Sequence, residues 1–292
     1  MFFRSVLCAL LLGFTSIAAI AAGDAVVEAV QSPAWLTRDG KKLPLAIGAA
    51  LRKGDDVSTG VNSRAQLRLA DGSIIKLGEN ANLQIQSLEV VRGARRLLRS
   101  SLKVLEGAFR FTTAVLDKSR FKREVDIEFT TATAGIRGTD IWGKNFGDRE
   151  VVVLIEGKIS VTPRDQAPIA MDKALTYYQA PRGGTATVEA VPEALLNEWA
   201  QQTEIQPRRG SLSAQGKWKL SVAQLDNQND ALSLYDSLRR DGYPARIRPR
   251  PVSGGQIYHV RLEGFSSSDE AEALGLRLKQ IYPGATPRAT RR

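Results

Sequence analysis

Apolar residues between Ala25 and Val161 come in short runs, often at every second position. Examples are Val26-Val27-Glu28-Ala29-Val30, Ala65-Gln66-Leu67-Arg68-Leu69, Ser73-Ile74-Ile75-Lys76-Leu77, Leu83-Gln84-Ile85, Asp126-Ile127-Glu128-Phe129-Thr130 and Val151-Val152-Val153-Leu154-Ile155. A strand sends alternate side chains to opposite faces, so this spacing predicts short β-strands. Asp39-Gly40, Asp71-Gly72, Glu106-Gly107 and Glu156-Gly157 read as the turns between them, because glycine reaches the positive φ that tight reversals demand. An all-β unit follows. The basic cluster from Arg92 to Arg99 interrupts it as a solvated loop or short basic ribbon.

From Lys217 to Arg288 the pattern changes and then repeats. A short apolar strand from Trp218 leads into helical spacing at Ala231, Leu234 and Leu238; a second, from Tyr258 to Phe265, leads into Ala271, Leu274 and Leu278. Asp226 or Asn227 can cap the first helix, and Ser266 to Ser268 the second. The order is strand, helix, strand, strand, helix, strand. Neither half can bury its apolar face alone, so one antiparallel sheet with both helices on one side is the expected solution. The fold class is therefore multidomain: an all-β N-terminal domain and an α+β C-terminal domain of βαββαβ, ferredoxin-like type.

The other side of that sheet stays wet. With Trp218, Leu220 and Val222 inward, Lys219, Ser221 and Ala223 point out; with Tyr258, Val260 and Leu262 inward, Ile257, His259 and Arg261 point out. Arg246, Arg248 and Arg250 join them if Ala245 and Ile247 are core. Lys219, Ser221, Arg246, Arg248, Arg250, His259 and Arg261 are thus the candidate binding residues, cations gathered on one sheet with no visible carboxylate partner and suited to an anionic ligand.

Between the two patterns regularity fades. Pro163, Pro168, Pro181, Gly183-Gly184 and Pro192 punctuate the chain, Pro192 to Ala200 reads as a short helix, and Gln206 to Gly216 as a flexible hinge. The expected division is 1–21, 22–162, 163–216 as a connecting segment, and 217–292.

Charge sharpens the picture. The 292 residues carry a formal net charge of +10. Arg208 to Arg292 hold 15 Lys and Arg against 8 Asp and Glu, whereas Asp24 to Pro207 hold 25 against 23, so basicity belongs to the tail. The start, Met1-Phe2-Phe3-Arg4, then an apolar run from Val6 to Ile20 and the small-x-small signal Ala19-Ile20-Ala21, predicts a signal peptide cleaved after Ala21. Cys8 lies inside that run, so neither disulfides nor thiol chemistry is expected in the mature chain. No later segment reads as membrane-spanning, and no stable membrane insertion is expected.

Enzymatic function finds no motif. His259 is a lone histidine without a cysteine to share a metal, and no activated serine or telling carboxylate pair is present; no catalytic residue, metal or cofactor is expected. A basic βαββαβ sheet also describes single-strand RNA binders, but those need exposed aromatics, and Trp218 and Tyr258 face inward. With export, no nucleic-acid partner is expected.

Three glycine-bearing blocks, Gly48 to Gly60, Ser63 to Ser73 and Thr133 to Asp140, with the later Glu156-Gly157-Lys158-Ile159-Ser160-Val161, closely resemble the FecR-type periplasmic domain. That resemblance implies a β-rich interaction module with an envelope protein as its partner. Within the third block, Gly135-Ile136-Arg137-Gly138-Thr139 reads as a structural corner in which Arg137 could pair with Asp140. Ala231, Leu234 and Leu238, Asp241-Gly242-Tyr243-Pro244-Ala245, and Tyr258-His259-Val260-Arg261-Leu262 leading to Phe265 resemble the SPOR domain, a peptidoglycan-binding module of bacterial envelope proteins. The family's usual Gln, Gly and Phe in the first strand are here Ser221, Ala223 and Leu225, and its Gly-Pro-Phe corner reads Glu263-Gly264-Phe265. The resemblance implies recognition, on the open sheet face, of glycan strands stripped of their stem peptides. Together these point to a periplasmic, wall-associated protein without enzymatic activity; a signalling or assembly scaffold whose tail binds a protein is the alternative.

Overall fold

The computed structural model describes residues 24–291 except 92, 94, 95, 115–120, 137, 165, 182 and 183. The expected signal peptide, most of the basic cluster's tip and Arg137 lie outside the described residues.

The described N-terminal strands are β1 (Ala25–Gln31), β2 (Ala34–Arg38), β3 (Lys41–Pro44), β4 (Ala50–Leu51), β5 (Asp56–Thr59), β6 (Arg64–Leu69), β7 (Ile74–Leu77), β8 (Asn82–Val91), β9 (Arg96–Thr112), β10 (Phe121–Glu128), β11 (Ala132–Ile136), β12 (Asp140–Asn145), β13 (Arg149–Glu156) and β14 (Ile159–Pro163). Then come β15 (Ile169–Met171), β16 (Thr176–Pro181), β17 (Thr187–Ala190), helix α1 (Glu193–Thr203) and β18 (Ser211–Ser213). The tail holds β19 (Trp218–Leu225), α2 (Gln228–Arg240), β20 (Arg246–Val252), β21 (Gly255–Phe265), α3 (Ser268–Ile281) and β22 (Arg288–Arg291).

Two sheets enclose the N-terminal core, and β9 belongs to both. Its first part pairs with β8 and, in parallel, with β10; its last part pairs with β7 and β12. The corner between them is Glu106-Gly107, expected as a hairpin turn. It is a bend inside one long strand: Gly107 has φ 75°, and a Cβ there would come within 2.5 Å of Ala81 Cα. Alternation explains the core, with Leu67, Leu77, Phe109, Phe111, Val57 and Leu83 pointing between the sheets. The unbroken run Val151 to Leu154 in β13 is buried on both faces, because α1 covers its outer side. There Trp199 of α1 stacks on Trp142, ring centroids 5.1 Å apart and planes 4° from parallel.

Several carboxylates of the N-terminal domain are structural. Asp55, almost fully buried, receives two hydrogen bonds from the Arg38 guanidinium and one from the Arg52 backbone N–H. Asp71 likewise holds Ser73 and Arg123. Asp140 pairs with Arg110, which also reaches Glu204 at 3.2 Å beyond the end of α1.

The segment 163–216 is more ordered than the expected connector. β16 extends one sheet beside β13, β15 extends the other beside β14, and only α1 was anticipated. Prolines mark the ends of β14 and β16 rather than a loss of structure. The expected hinge at 206–216 contains β18, which pairs with β1 of the N-terminal domain and, at Leu212, with Phe265 of β21. Buried Glu270, in the first turn of α3, fixes that stretch by accepting hydrogen bonds from the backbone N–H groups of Arg208, Gly210 and Ser211 at 2.7–2.8 Å. Further bonds join the domains: Trp35 donates from Nε1 to the Arg240 carbonyl, and Arg277 donates to the Ser32 carbonyl.

Glu270→Gln places an amide NH2 among three donors. An expected loss of about 2–4 kcal/mol in urea unfolding, with faster proteolysis between 204 and 216, checks this role; an unchanged transition contradicts it.

A cationic face on the C-terminal sheet

The C-terminal sheet runs β20, β21, β19, β22, all antiparallel. α2 and α3 cover one side, burying Ala231, Leu238, Ala271, Leu274 and Leu278 against Leu220, Val222, Val260 and Leu262. The caps are Asn227, accepting from the Asn229 and Asp230 N–H groups, and Ser267, accepting from Glu270. No helix among the described residues is long and apolar enough to cross a membrane.

Register fixes what the open side displays. One row across the four strands reads Arg246, Arg261, Ser221, Arg288; the next reads Arg248, His259, Gln224. Lys219 lies opposite Glu263, and Arg250 opposite Ile257. All seven residues expected on this face are therefore on outward register positions, and three more join them: Gln224, Glu263 and Arg288. Arg288, in the last strand, was not anticipated, although the same alternation marks it: Ala289 packs inward on the core.

Ala223 is a correction. The β19–β21 register shifts between Ser221 and Ala223, leaving Val222 as a bulge residue, and both Val222 and Ala223 are buried. The inserted residue reverses the alternation, so Gln224, not Ala223, emerges beside His259.

The expectation of cations without an acid partner is also corrected. Glu263 lies two residues beyond Arg261 on the same strand and therefore on the same face. Its carboxylate is 2.6 Å from Arg261 and 3.6 Å from Arg246. The physical need is plain: Arg246 and Arg261 are directly opposite each other, where like charges destabilise a sheet, and Glu263 pairs with both. Lys219, Arg248 and Arg250 form no ion pair among the described residues, and Glu263 is the one carboxylate on the four strands. Burial holds the His259 imidazole below its ordinary value, and Arg250, Arg261 and Lys219 push it further the same way.

The open face is thus a cation-rich surface with the exposed Gln224 near its middle; Ser221 shares the row, but its Oγ is buried without a hydrogen-bond partner among the described residues. Guanidinium groups there suit planar carboxylates, and the side chains lack a nucleophile with an activating base. Among the described residues no three His, Cys, Asp or Glu gather to hold a metal ion.

A family model described as FecR protein matches residues 55–160, and one described as SPOR domain matches residues 214–288. The chain carries a FecR domain followed by a SPOR domain. Both families are periplasmic and non-catalytic, and a SPOR domain points to peptidoglycan binding. No curated protein matches the chain. Among solved structures, two of a candidate anti-sigma factor from Parabacteroides distasonis ATCC 8503 are similar at TM-score 0.39. One is 14% identical, covering 77% of this chain and 90% of that one; the other is 13% identical, covering 81% and 99%. At those TM-scores neither likeness bears on function.

The folded SPOR domain holds His259 less protonated than the unfolded chain does. Stability is therefore untouched at pH 8 and falls as pH drops through the ordinary histidine value of 6.5, where the unfolded chain takes up the proton first. His259→Gln should lose less stability than the wild type between pH 8 and pH 5.5 in urea unfolding; parallel losses contradict the placement of His259 among cations.

Proposed function

We propose that this protein is a non-enzymatic component of a Gram-negative cell envelope, exported by a signal peptide cleaved after Ala21. Its SPOR domain, expected at 217–292, grips peptidoglycan glycan strands that lack stem peptides. Its FecR domain, expected within 22–162, presents a surface to another envelope component. The observation that carries this is the cation-rich open face of the SPOR sheet, where Lys219, Arg248 and Arg250 have no carboxylate partner among the described residues.

The chemistry fits. Removing a stem peptide frees a lactyl carboxylate on each muramic acid, and a guanidinium meets a carboxylate with two parallel hydrogen bonds. Gln224 and His259 supply neutral hydrogen-bonding groups for sugar hydroxyls and amides between the cations. Gathering like charges on one sheet costs stability, and an anionic polymer recovers that cost on binding. The polar, charged character of the contacts makes them sensitive to salt.

Retention of the full chain on purified wall sacculi, before and after amidase treatment, tests the proposal. Amidase should increase retention of the wild type, and Arg248→Ala combined with Arg250→Ala should weaken it roughly tenfold or more, the value of one or two charge-assisted hydrogen bonds. These two arginines leave no paired acid stranded when removed. Equal retention of wild type and double variant would contradict the site. A chain that ignores wall material and copurifies with a membrane complex would favour a protein-binding scaffold instead.

A further inference from the structure

A cleft of about 310 Å³ opens where the two domains meet, beside the end of the cationic face. The N-terminal domain contributes Ala46, Ile47 and Gly48; the SPOR domain contributes Arg239, Arg246 and Glu263. Arg246 and Glu263 belong to both places, since they also occupy the open sheet face next to Arg261. The cleft is therefore continuous with the proposed glycan site.

Its shape is built in. Gly264 has φ 105°, and a Cβ there would overlap Ile47 Cδ1; at Gly216 a Cβ would overlap the Gly264 backbone. Ile47 packs on the SPOR core from the other domain, and the Ala214 N–H donates to the Glu28 carbonyl at 3.0 Å. The opening is thus held by contacts on both sides rather than left between loosely joined parts. Its volume matches small ligand pockets, which begin at about 300 Å³, and is enough for one sugar unit.

Its lining is mixed in the way a sugar needs. Ile47 and Pro244 offer apolar surface, Arg239 and Arg246 offer donors, and Glu263 offers an acceptor. Arg239 forms no ion pair among the described residues; its guanidinium lies over the Tyr235 ring, 5.3 Å from the centroid. Arg246 sits at 3.6 Å from Glu263, which is itself engaged at 2.6 Å by Arg261.

We propose that this interdomain cleft is an additional saccharide subsite that takes one carboxylate-bearing sugar of the same glycan strand, so that the FecR domain forms part of the wall-binding surface. The inference rests on the glycan-binding proposal and extends it. The loop Ala46 to Gly48 then closes one end of the path across the sheet, and a strand bound there touches both domains at once. Binding affinity for denuded glycan should accordingly belong to the full chain rather than to the SPOR sheet alone.

The test uses the full chain with amidase-treated sacculi. Ala46→Trp fills the cleft from the FecR side, and Arg239→Ala removes its free cation without altering the sheet face. Each should weaken retention roughly five- to tenfold, the scale of one ordinary hydrogen bond. Arg248→Ala with Arg250→Ala is the companion variant. Cleft variants that bind like wild type while the companion is weakened overturn the subsite and leave the glycan-binding proposal standing; unweakened binding in all three overturns the proposal itself. Thermal unfolding is measured beside each. An Arg239 that serves only to offset the α2 C-terminal dipole predicts lower stability with binding intact, which would also overturn the subsite. If Ala46→Trp alone unfolds, Arg239→Ala decides.

Discussion

Burial of one side of the SPOR sheet under α2 and α3 is the constraint from which its chemistry follows. Leu220, Val222, Val260 and Leu262 are removed from water against the two helices, and each fully buried aliphatic side chain of this kind contributes about 1.5–3 kcal/mol. Once they are fixed inward, the two-residue period leaves Lys219, Ser221, His259 and Arg261 no choice but the wet face. Pairing of β20 to β21 then brings Arg246, Arg248 and Arg250 alongside. The core selects the face, and the sequence of the outward positions sets its charge.

That face works against the fold's own stability. Arg246 lies opposite Arg261, Lys219, Arg250 and Arg261 disfavour the protonated form of His259, and only Glu263 intervenes on these strands. Total stability of a domain is about 5–15 kcal/mol, so cross-strand repulsions of even a few tenths to about 1 kcal/mol each are felt. Sites that break a local rule without compensation nearby are where function is expected. In the FecR domain the charges follow the opposite logic: Asp55, Asp71 and Asp140 are each satisfied by an arginine and by nearby hydrogen bonds, and they hold corners in place.

The outward positions on β20 and β21, the two SPOR helices and their caps, and most FecR strands were readable from local periodicity, because each depends on neighbours in sequence. What escaped depends on pairing between distant strands. The Val222 bulge leaves Leu220-Ser221-Val222-Ala223 looking like plain alternation, and only the partner strand shows that Ala223 turns in and Gln224 out. β18, with Leu212 between β1 and β21, has three residues and no periodicity to find. Gly107 carried a turn signature, yet its positive φ bends a continuous strand from one sheet into the other. Glu263 and Arg288 are different: the same two-residue period that placed Arg261 would have placed both, and the signal was present.

The most direct measurement is a map of amide chemical-shift changes when the isotopically labelled full chain is titrated with a purified glycan oligosaccharide free of stem peptides. The account predicts shifts concentrated on β19 to β22 around Ser221, Gln224, Arg248, His259 and Arg261. Shifts confined to the helical side, around α2 and α3, or none at concentrations that saturate retention on the wall, would contradict it.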